Sequence, residues 1–510
     1  MRKEQVIENG EERHHRCPGE TYTISDSVCR GRQRVNYPKC NVCLDKVEPA
    51  NFEQSVNESK IITSIFKSYD IRGKYPEQLD DLTARKIGSS IAQFLKEGNP
   101  KAKNVVVGRD MRLSSKSLTN ALIDGICSTG MNVVNIGIVS TEMTTFAVGH
   151  YNYDGGVMVT ASHNSAEYNG FKICREQAIP LSMETGIGRI AKLTQQYHPP
   201  RGEQLGKVVL SDVFKDYKRH VLRFVDSLRN VRVVVDAGNG MAGRTVPIVC
   251  EGLPVEIIPL YFELDGSFPN HDANPLVNEN LRDLQNKVRE TRAHLGVAFD
   301  GDADRCVFVD EMGRIIGCDI MTAVIARQFL EREQGATILY DLRSSWVVPE
   351  EIKAAGGLPY RERVGHSYMK AALREQKAVF GGELSGHYYF RDNYCSDSGI
   401  IAFLTVLGLL SAKRTSFSNI VMPLKRYHAT GELNFEVDDK DAKIEEIIRK
   451  FSTGKVDRLD GVTVEYHDWW FNVRKSNTEP LLRLNLEGKT HELMEKGKKM
   501  LINIIQGKLL

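Results

Sequence analysis

Val297-Ala298-Phe299-Asp300-Gly301-Asp302-Ala303-Asp304-Arg305 joins an apolar run to three carboxylates at i, i+2 and i+4. The apolar part is a candidate buried strand that ends at Asp300. Gly301 and Ala303 keep the loop compact, and in an extended segment the spacing predicts all three acids on one face. Like charges about 4 Å apart repel by roughly 4 kcal/mol per pair at an effective dielectric near 20. Three such pairs call for a cation among them. A hard divalent ion with oxygen ligands, Mg²⁺ foremost, answers that need, with a solvated acidic turn as the plain alternative. The Gly and terminal Glu of a calcium-binding EF-hand loop are missing.

Outward from this stretch the same pattern of a short apolar run and a polar stop recurs. Val105–Val107, Val157–Val159, Val231–Val235 and Ile338–Tyr340 are further strand candidates. Helical patterns lie between them, such as LTARKIGSSIAQFLKEG (82–98) and LRDLQNKVRETRAHLG (281–296). Alternating β and α predicts an α/β fold of consecutive domains, although no clean sequence repeat is visible. Turn signals at PPRGEQLG (199–206) and EMGRIIG (311–317) mark breaks. Past Leu424 the pattern becomes α+β, with VTVEYHDWWFNVRKS (462–476) and LLRLNLEG (481–488) as adjacent strands flanked by helices. The expected units are 1–58, 59–206, 207–314, 315–424 and 425–510.

The chain has 510 residues, of which 41% are hydrophobic and 26% charged, which excludes a wholly disordered protein. A net charge of +2 gives no field that would mark nucleic acid or an anionic membrane as partner. The run GIIAFLTVLGLLSA (399–412) is too short to cross a bilayer and predicts a buried helix. The start, MRKEQVIENGEERHH, has no apolar core of a secretory signal. Cytoplasmic residence is expected, and Cys127, Cys174, Cys250, Cys306, Cys318 and Cys395 read as reduced thiols.

Three more polar loops carry chemistry-bearing residues. Thr160-Ala161-Ser162-His163-Asn164 follows a strand and precedes Asn169-Gly170-Phe171-Lys172. On an exposed βα loop, a hydroxyl beside His163 and within reach of Lys172 suits a nucleophile or phosphate carrier, and equally an ordinary polar turn. Gly381-Gly382-Glu383-Leu384-Ser385-Gly386-His387 offers a carboxylate, a hydroxyl and an imidazole to a polar ligand, on a loop expected to be flexible. Arg474-Lys475-Ser476-Asn477-Thr478-Glu479-Pro480 mixes cations with small donors, as a phosphate site does, or forms a solvated turn. Asp236-Ala237-Gly238-Asn239-Gly240 lacks the dinucleotide spacing. Glu487-Gly488-Lys489-Thr490 has Arg483 where a P-loop needs its first Gly.

Together, and in this order, the four loops resemble those of the α-D-phosphohexomutase family, closest to its bacterial phosphomannomutase/phosphoglucomutase branch. The likeness runs from about Tyr69 (Tyr69-Asp70-Ile71-Arg72-Gly73) to about Gly488. It implies three related α/β domains and a C-terminal α+β domain around a central cleft. It implies a phosphoryl carrier at Ser162 and Mg²⁺ at Asp300, Asp302 and Asp304 with Ser162, Arg305 facing the phosphoserine. It further implies sugar contacts from Glu383, Ser385 and His387, and a hold on the non-reacting phosphate by Arg474, Ser476, Asn477 and Thr478. Arg72, His163 and Lys172 match positions at the reaction centre, and Tyr69 and the Gly365-His366-Ser367 loop match substrate-binding positions. Ser165 stands where the family usually has Pro, a change expected to loosen the loop, and Ala303 stands where Gly is commoner.

The function so implied interconverts the 1- and 6-phosphates of mannose or glucose through a bound hexose 1,6-bisphosphate. Phosphoglucosamine mutase is the alternative within the family; a sugar-phosphate-binding regulatory protein is the alternative outside it. The loop Gly382–His387 with Tyr388-Tyr389-Phe390 looks more like the mannose/glucose type. His387 and Lys172 are both candidates to move protons. The first fifty residues are a Cys-rich extension in which Cys17, Cys29, Cys40 and Cys43 form a candidate Zn²⁺ site, with His14 and His15 as alternates. Four reduced thiols in a tail are the plain reading.

Overall fold

The computed structural model describes residues 14–15, 24–25, 62–198, 205–476 and 481–507. Its first three large sheets are built on one plan, set by short β-branched runs that pack on both faces. The first has parallel strands Asn104–Arg109, Asn132–Ile138 and Gly155–Val159, and an antiparallel fourth, Tyr168–Arg175. The second has Val231–Asp236, Val255–Leu260 and Leu295–Phe299, then Cys306–Asp310. The third has Thr337–Asp341, Leu358–Glu362 and Phe380–Gly382, then Tyr388–Phe390. In each, the first strand lies between the second and third, and the fourth pairs with the third. A chain without a visible sequence repeat therefore carries a threefold repeat of topology, because many apolar sequences satisfy one burial pattern. Ile71–Lys74 adds an antiparallel edge to the first sheet. Val208–Leu210 adds a parallel one at the other side, so this sheet reaches beyond residue 206.

The fourth sheet is antiparallel, in the order His428–Glu436, Leu481–Gly488, Trp469–Lys475, Val462–Glu465, Lys455–Asp457. The stretch 462–476 is thus two strands rather than one. Polar Tyr466-His467-Asp468 makes the turn, closed by Tyr466 N donating to Trp469 O at 2.9 Å. Helices Lys440–Lys450 and His491–Ile505 complete the domain. Thr490, from the weak P-loop-like motif, caps the second of them by accepting from Leu493 N.

Helix Asp81–Gly98 matches the predicted span, with Asp80 as its cap. The span 281–296 is shorter than expected: the helix is Arg282–Thr291. Arg292 takes a left-handed conformation at φ 53° and stops it, releasing Leu295 and Gly296 to the strand. The apolar run 399–412 lies in helix Gly399–Lys413, buried along most of its length. No single helix among the described residues is long and apolar enough to cross a membrane.

One apolar cluster runs through the first three domains, with Met158, Phe299, Phe380 and Phe403 in it, while the other face of the first sheet has its own around Ile87, Val105 and Phe171. The fourth has its own, around Val464, Phe471, Leu484 and Leu501. It meets the third through polar contacts such as Trp346 N to Glu487 (2.9 Å), Trp346 Nε1 to Glu465 (2.8 Å) and the Arg361–Asp457 ion pair. At the N-terminus, His14–His15 pairs antiparallel with Ile24–Ser25. Cys17, Cys29, Cys40 and Cys43 lie outside the described residues, as do Asn477 and Thr478.

Candidate active site

Three of the motif loops occupy one address: the link from the third parallel strand to the antiparallel fourth. They are the Ser162 loop in the first sheet, Asp300–Arg305 in the second and Glu383–His387 in the third. The Ser162 loop is therefore a ββ link, not the exposed βα loop that its sequence suggests, and Ser162 is fully buried. Glu383 and His387 are buried as well, on a hairpin link braced at both ends rather than a flexible loop. The Arg474 segment also leads into a hairpin, between Trp469–Lys475 and Leu481–Gly488.

Ser162 adopts φ 51°, a left-handed conformation that a non-glycine residue holds only where its surroundings fix it. Those surroundings are visible. Its N–H donates to Thr160 Oγ1 at 2.9 Å, and its Oγ donates to Asp300 Oδ2 at 2.7 Å, with His163 Nδ1 3.3 Å away. Arg112, a residue that sequence reasoning missed, donates to the carbonyls of Ser162 (2.8 Å), Asn164 (2.6 Å), Ser165 (2.7 Å) and Tyr168 (3.0 Å). Asp110 pairs with Arg112 at 3.2 Å and orients it. The clamp thus includes the carbonyl of Ser165 itself. Arg72 reaches the loop through Asn164 Oδ1 and pairs with Asp70.

Asp300, Asp302 and Asp304 are all buried, with one oxygen of each within 4.8 Å of the others. They converge by a turn, with Ala303 at φ 64°, rather than along an extended face. That left-handed angle accounts for glycine being common there. Burial, with Asp302 and Asp304 adding, pushes Asp300 well above the carboxylate range. Burial works the same way on Asp304, but Lys172 and His387 outweigh it and hold that carboxyl well below. Lys172 Nζ spans Asp302 (2.7 Å) and Asp304 (2.5 Å), and Thr141 Oγ1 donates to Asp302 at 2.5 Å. Asp302 Oδ1 and Asp304 Oδ1 are nonetheless buried with no hydrogen-bond partner. Two unsatisfied hard oxygens among three converging carboxylates fit a divalent cation such as Mg²⁺.

The second and third loops dock directly. Cys306 N donates to Gly386 O (3.1 Å), and Arg305 Nε donates to His387 Nε2 (3.1 Å). Ser385 Oγ lies 2.9 Å from His387 Nδ1. Glu383 accepts from Gly365 N (2.9 Å) and from the Tyr389 hydroxyl, which ties its loop to the His366 loop. Tyr69 meets the His366 ring edge-on at 5.2 Å and donates to Val364 O at 3.3 Å. Burial, then Arg305, Arg72 and Lys172, push the His163 imidazole well below its usual range, so it is neutral.

Arg474 is buried and donates to Glu432 at 2.8 Å. Arg343 (3.4 Å) and Arg483 (2.8 Å) share that carboxylate. Burial raises Glu432, but the three guanidiniums outweigh it and hold the group below its ordinary range. Three guanidiniums meet two acids here, Glu432 and Asp341, and Arg474 Nε stays buried without a hydrogen-bond partner, a donor suited to an anion. Arg343 leads on through Asp341 (2.7 Å), which accepts from Leu384 N (2.7 Å), into the Glu383–His387 loop. Arg343 could have been suspected from Asp341-Leu342-Arg343-Ser344-Ser345, a polar loop straight after a candidate strand. Arg112 carried the same signal, in Asp110-Met111-Arg112-Leu113-Ser114-Ser115 after the candidate strand Val105–Val107, whereas Glu432 and Arg483 carried none.

Family models described as phosphoglucomutase/phosphomannomutase match along the chain: alpha/beta/alpha domain I over 63–199, domain II over 215–313, domain III over 318–427 and the C-terminal domain over 432–504. A phosphomannomutase of Vibrio cholerae is 39% identical over 436 residues, covering 83% of this chain and 94% of its own. The phosphohexose mutases of Xanthomonas campestris pv. campestris are 38% identical, over 87% of this chain and 99% of theirs. A crystal structure of a phosphoglucomutase/phosphomannomutase family protein from Burkholderia thailandensis superposes with a TM-score of 0.80 at 32% identity, over 88% of this chain and 98% of that one.

Proposed function

The chain belongs to the phosphoglucomutase/phosphomannomutase family, and we propose that Ser162 is the carrier through which it moves a phosphoryl group within a hexose phosphate. It is a hexose-phosphate mutase, an intramolecular phosphotransferase among the isomerases. The observation that carries the assignment to Ser162 is its buried Oγ, 2.7 Å from Asp300 in the loop where three aspartates converge.

In the first half-reaction the Oγ–P bond of phosphorylated Ser162 breaks as an O–P bond forms to the free hydroxyl of a mannose or glucose phosphate. The hydroxyl proton leaves to a base, and the products are hexose 1,6-bisphosphate and unmodified Ser162. The bisphosphate then turns end for end and returns its other phosphoryl group to Ser162 Oγ, whose proton is taken up. Asp300, Asp302, Asp304 and phosphorylated Ser162 would hold Mg²⁺, which neutralises charge on the transferring group when bound. Arg305 and Lys172 set positive charge against the phosphoryl oxygens, and His163 lies neutral beside Oγ. His387, between the acidic loop and the sugar loop, is placed to hold the proton. Arg474, with Arg343, Ser476, Asn477 and Thr478, grips the phosphate that does not react. Glu383, Ser385, His366 and Tyr69 orient the sugar between the two ends. Glucosamine phosphate is the alternative substrate.

Intact-protein mass spectrometry tests the carrier. One phosphate per chain, removed by phosphatase and missing in Ser162→Ala, is the expected result; a phosphate elsewhere, or an active alanine variant, overturns it. Coupled assays on mannose, glucose and glucosamine phosphates, primed with hexose 1,6-bisphosphate, rank the substrates. A cytoplasmic setting is part of this reading, resting on cysteines scattered singly through the α/β domains. The Zn²⁺ reading of Cys17, Cys29, Cys40 and Cys43 rests on their number and spacing. Elemental analysis giving about one zinc per chain supports it, and a zinc-free chain with four titratable thiols there removes it.

A further inference from the structure

A cavity of about 660 Å³ opens at the seam of the second and third domains, away from the residues assigned to catalysis. Arg229, Arg289, Arg292, His294 and Arg414 line it, with one acid, Glu311. That acid is engaged, since Ser418 donates to it from both its N–H and its hydroxyl. Among the described residues no carboxylate pairs with Arg229, Arg289, Arg292 or Arg414, although the other arginines of these two domains repeatedly form ion pairs. Met312 gives the same cavity an exposed apolar edge, with Leu410 and Phe417 buried behind it.

Part of this positive charge has a structural explanation. Arg292 and Arg414 are the residues at which helices Arg282–Thr291 and Gly399–Lys413 end, both in the left-handed conformation. A helix C-terminus carries about half a negative charge, so two of them offset about one guanidinium. With Glu311 deducted as well, a clear positive surplus remains. The volume lies within the range of small-molecule sites, roughly 300–1,000 Å³. Guanidiniums without carboxylates suit phosphate groups, and the exposed Met312 side chain with guanidinium faces beside it suits a flat ring better than a sugar rich in hydroxyls.

We propose that this seam is a second ligand site, for a small polyanion with two or more phosphates and a flat apolar group, as a nucleoside polyphosphate has. Two elements run from it to the acidic loop. Strand Leu295–Phe299 starts beside His294 and ends at Asp300. Helix Gly399–Lys413 starts where a Cβ on Gly399 would lie 2.8 Å from Ala303 O, and ends at Arg414. A ligand that draws the two domains together at the seam therefore acts on the aspartate loop through two rigid bodies.

Calorimetry on the full chain, with metal-free ATP, tripolyphosphate and adenosine as probes and the cleft saturated with glucose 1-phosphate, tests the site. The expected result is one ATP per chain, weaker tripolyphosphate, no adenosine, and at least tenfold weaker ATP binding in Arg292→Ala/Arg414→Ala with its melting temperature and basal turnover kept. No binding of ATP by the wild type at millimolar concentration, or equal binding by the double variant, overturns the proposal. ATP bound without any change in turnover overturns its coupling to the aspartate loop. Because these binding arms do not depend on Ser162, Ser162→Ala keeps them, and failure of the carrier assignment is read separately.

Discussion

The carbonyl oxygen of Ser162 faces Gly301 so closely that a Cβ built on Gly301 would lie 2.5 Å from it. The hydroxyl-bearing loop and the acidic loop therefore approach backbone to backbone. Gly301→Ala must push them apart, and a displacement near 1 Å at a reacting centre costs about 100-fold in rate. Turnover is expected to fall by about that factor with the circular dichroism spectrum unchanged. Full activity in the alanine variant would mean that the two loops need not touch.

Asp302 has one oxygen on Lys172 and Thr141 and the other unpartnered. Chelation is expected to abolish turnover, and Mg²⁺ to restore it. Asp302→Asn keeps the shape but removes a charge, so turnover should drop by orders of magnitude while the melting temperature holds or rises as repulsion within the loop is relieved. A variant or a chelated enzyme with undiminished rate excludes a metal role for these oxygens.

Arg112 acts on the Ser162 loop through four carbonyls and does not itself reach the transferring group. Lysine at this position keeps the charge but not the fork of donors. For Arg112→Lys we expect kcat to fall at least tenfold with KM within about twofold, since substrate contacts lie on other loops. If KM rises alone, the clamp does not position Ser162.

His220 is packed between Phe146 and Tyr394 and bonded to Asn393 at 2.9 Å. Burial pulls its pKa from the ordinary 6.5 down to about 4. The unfolded chain takes up this proton below about pH 6.5 and the folded chain only near pH 4, so this contribution to stability is whole above 6.5 and lost as pH falls through 4. The melting temperature should decline with acid over that window, and less steeply in His220→Gln. Superimposable pH profiles for the two proteins would remove His220 as a cause.

The motif loops were legible in the sequence because each keeps its reactive side chains contiguous: Ser162-His163, Asp300 to Arg305, Glu383 to His387. The strands Val105–Val107 and Val231–Val235 were legible because β-branched runs stopped by polar residues have few other uses. Hidden were features made by distant segments. Arg112 meets the Ser162 loop some fifty residues on, and Glu432 collects arginines from two domains. The overrun of the 281–296 helix has a local cause, since Arg292 stops it in a conformation that normally announces itself with glycine. The depth of Ser162 was hidden too, because polar residues in a loop say nothing about what will cover them.

The shared address of the Ser162, Asp300 and Glu383 loops has a consequence for ancestry. Three sheets on one plan fit repeated copying of one unit, in which the same hairpin link holds Ser162, then the three aspartates, then Glu383. Each repeat keeps a sheet of its own while one apolar cluster runs through all three, so a link is able to change without unpairing the strands beside it. The proposed reaction belongs to none of them alone: a chain cut after the first or second repeat would lack links that it needs, and even the third would lack the Arg474 segment of the fourth domain.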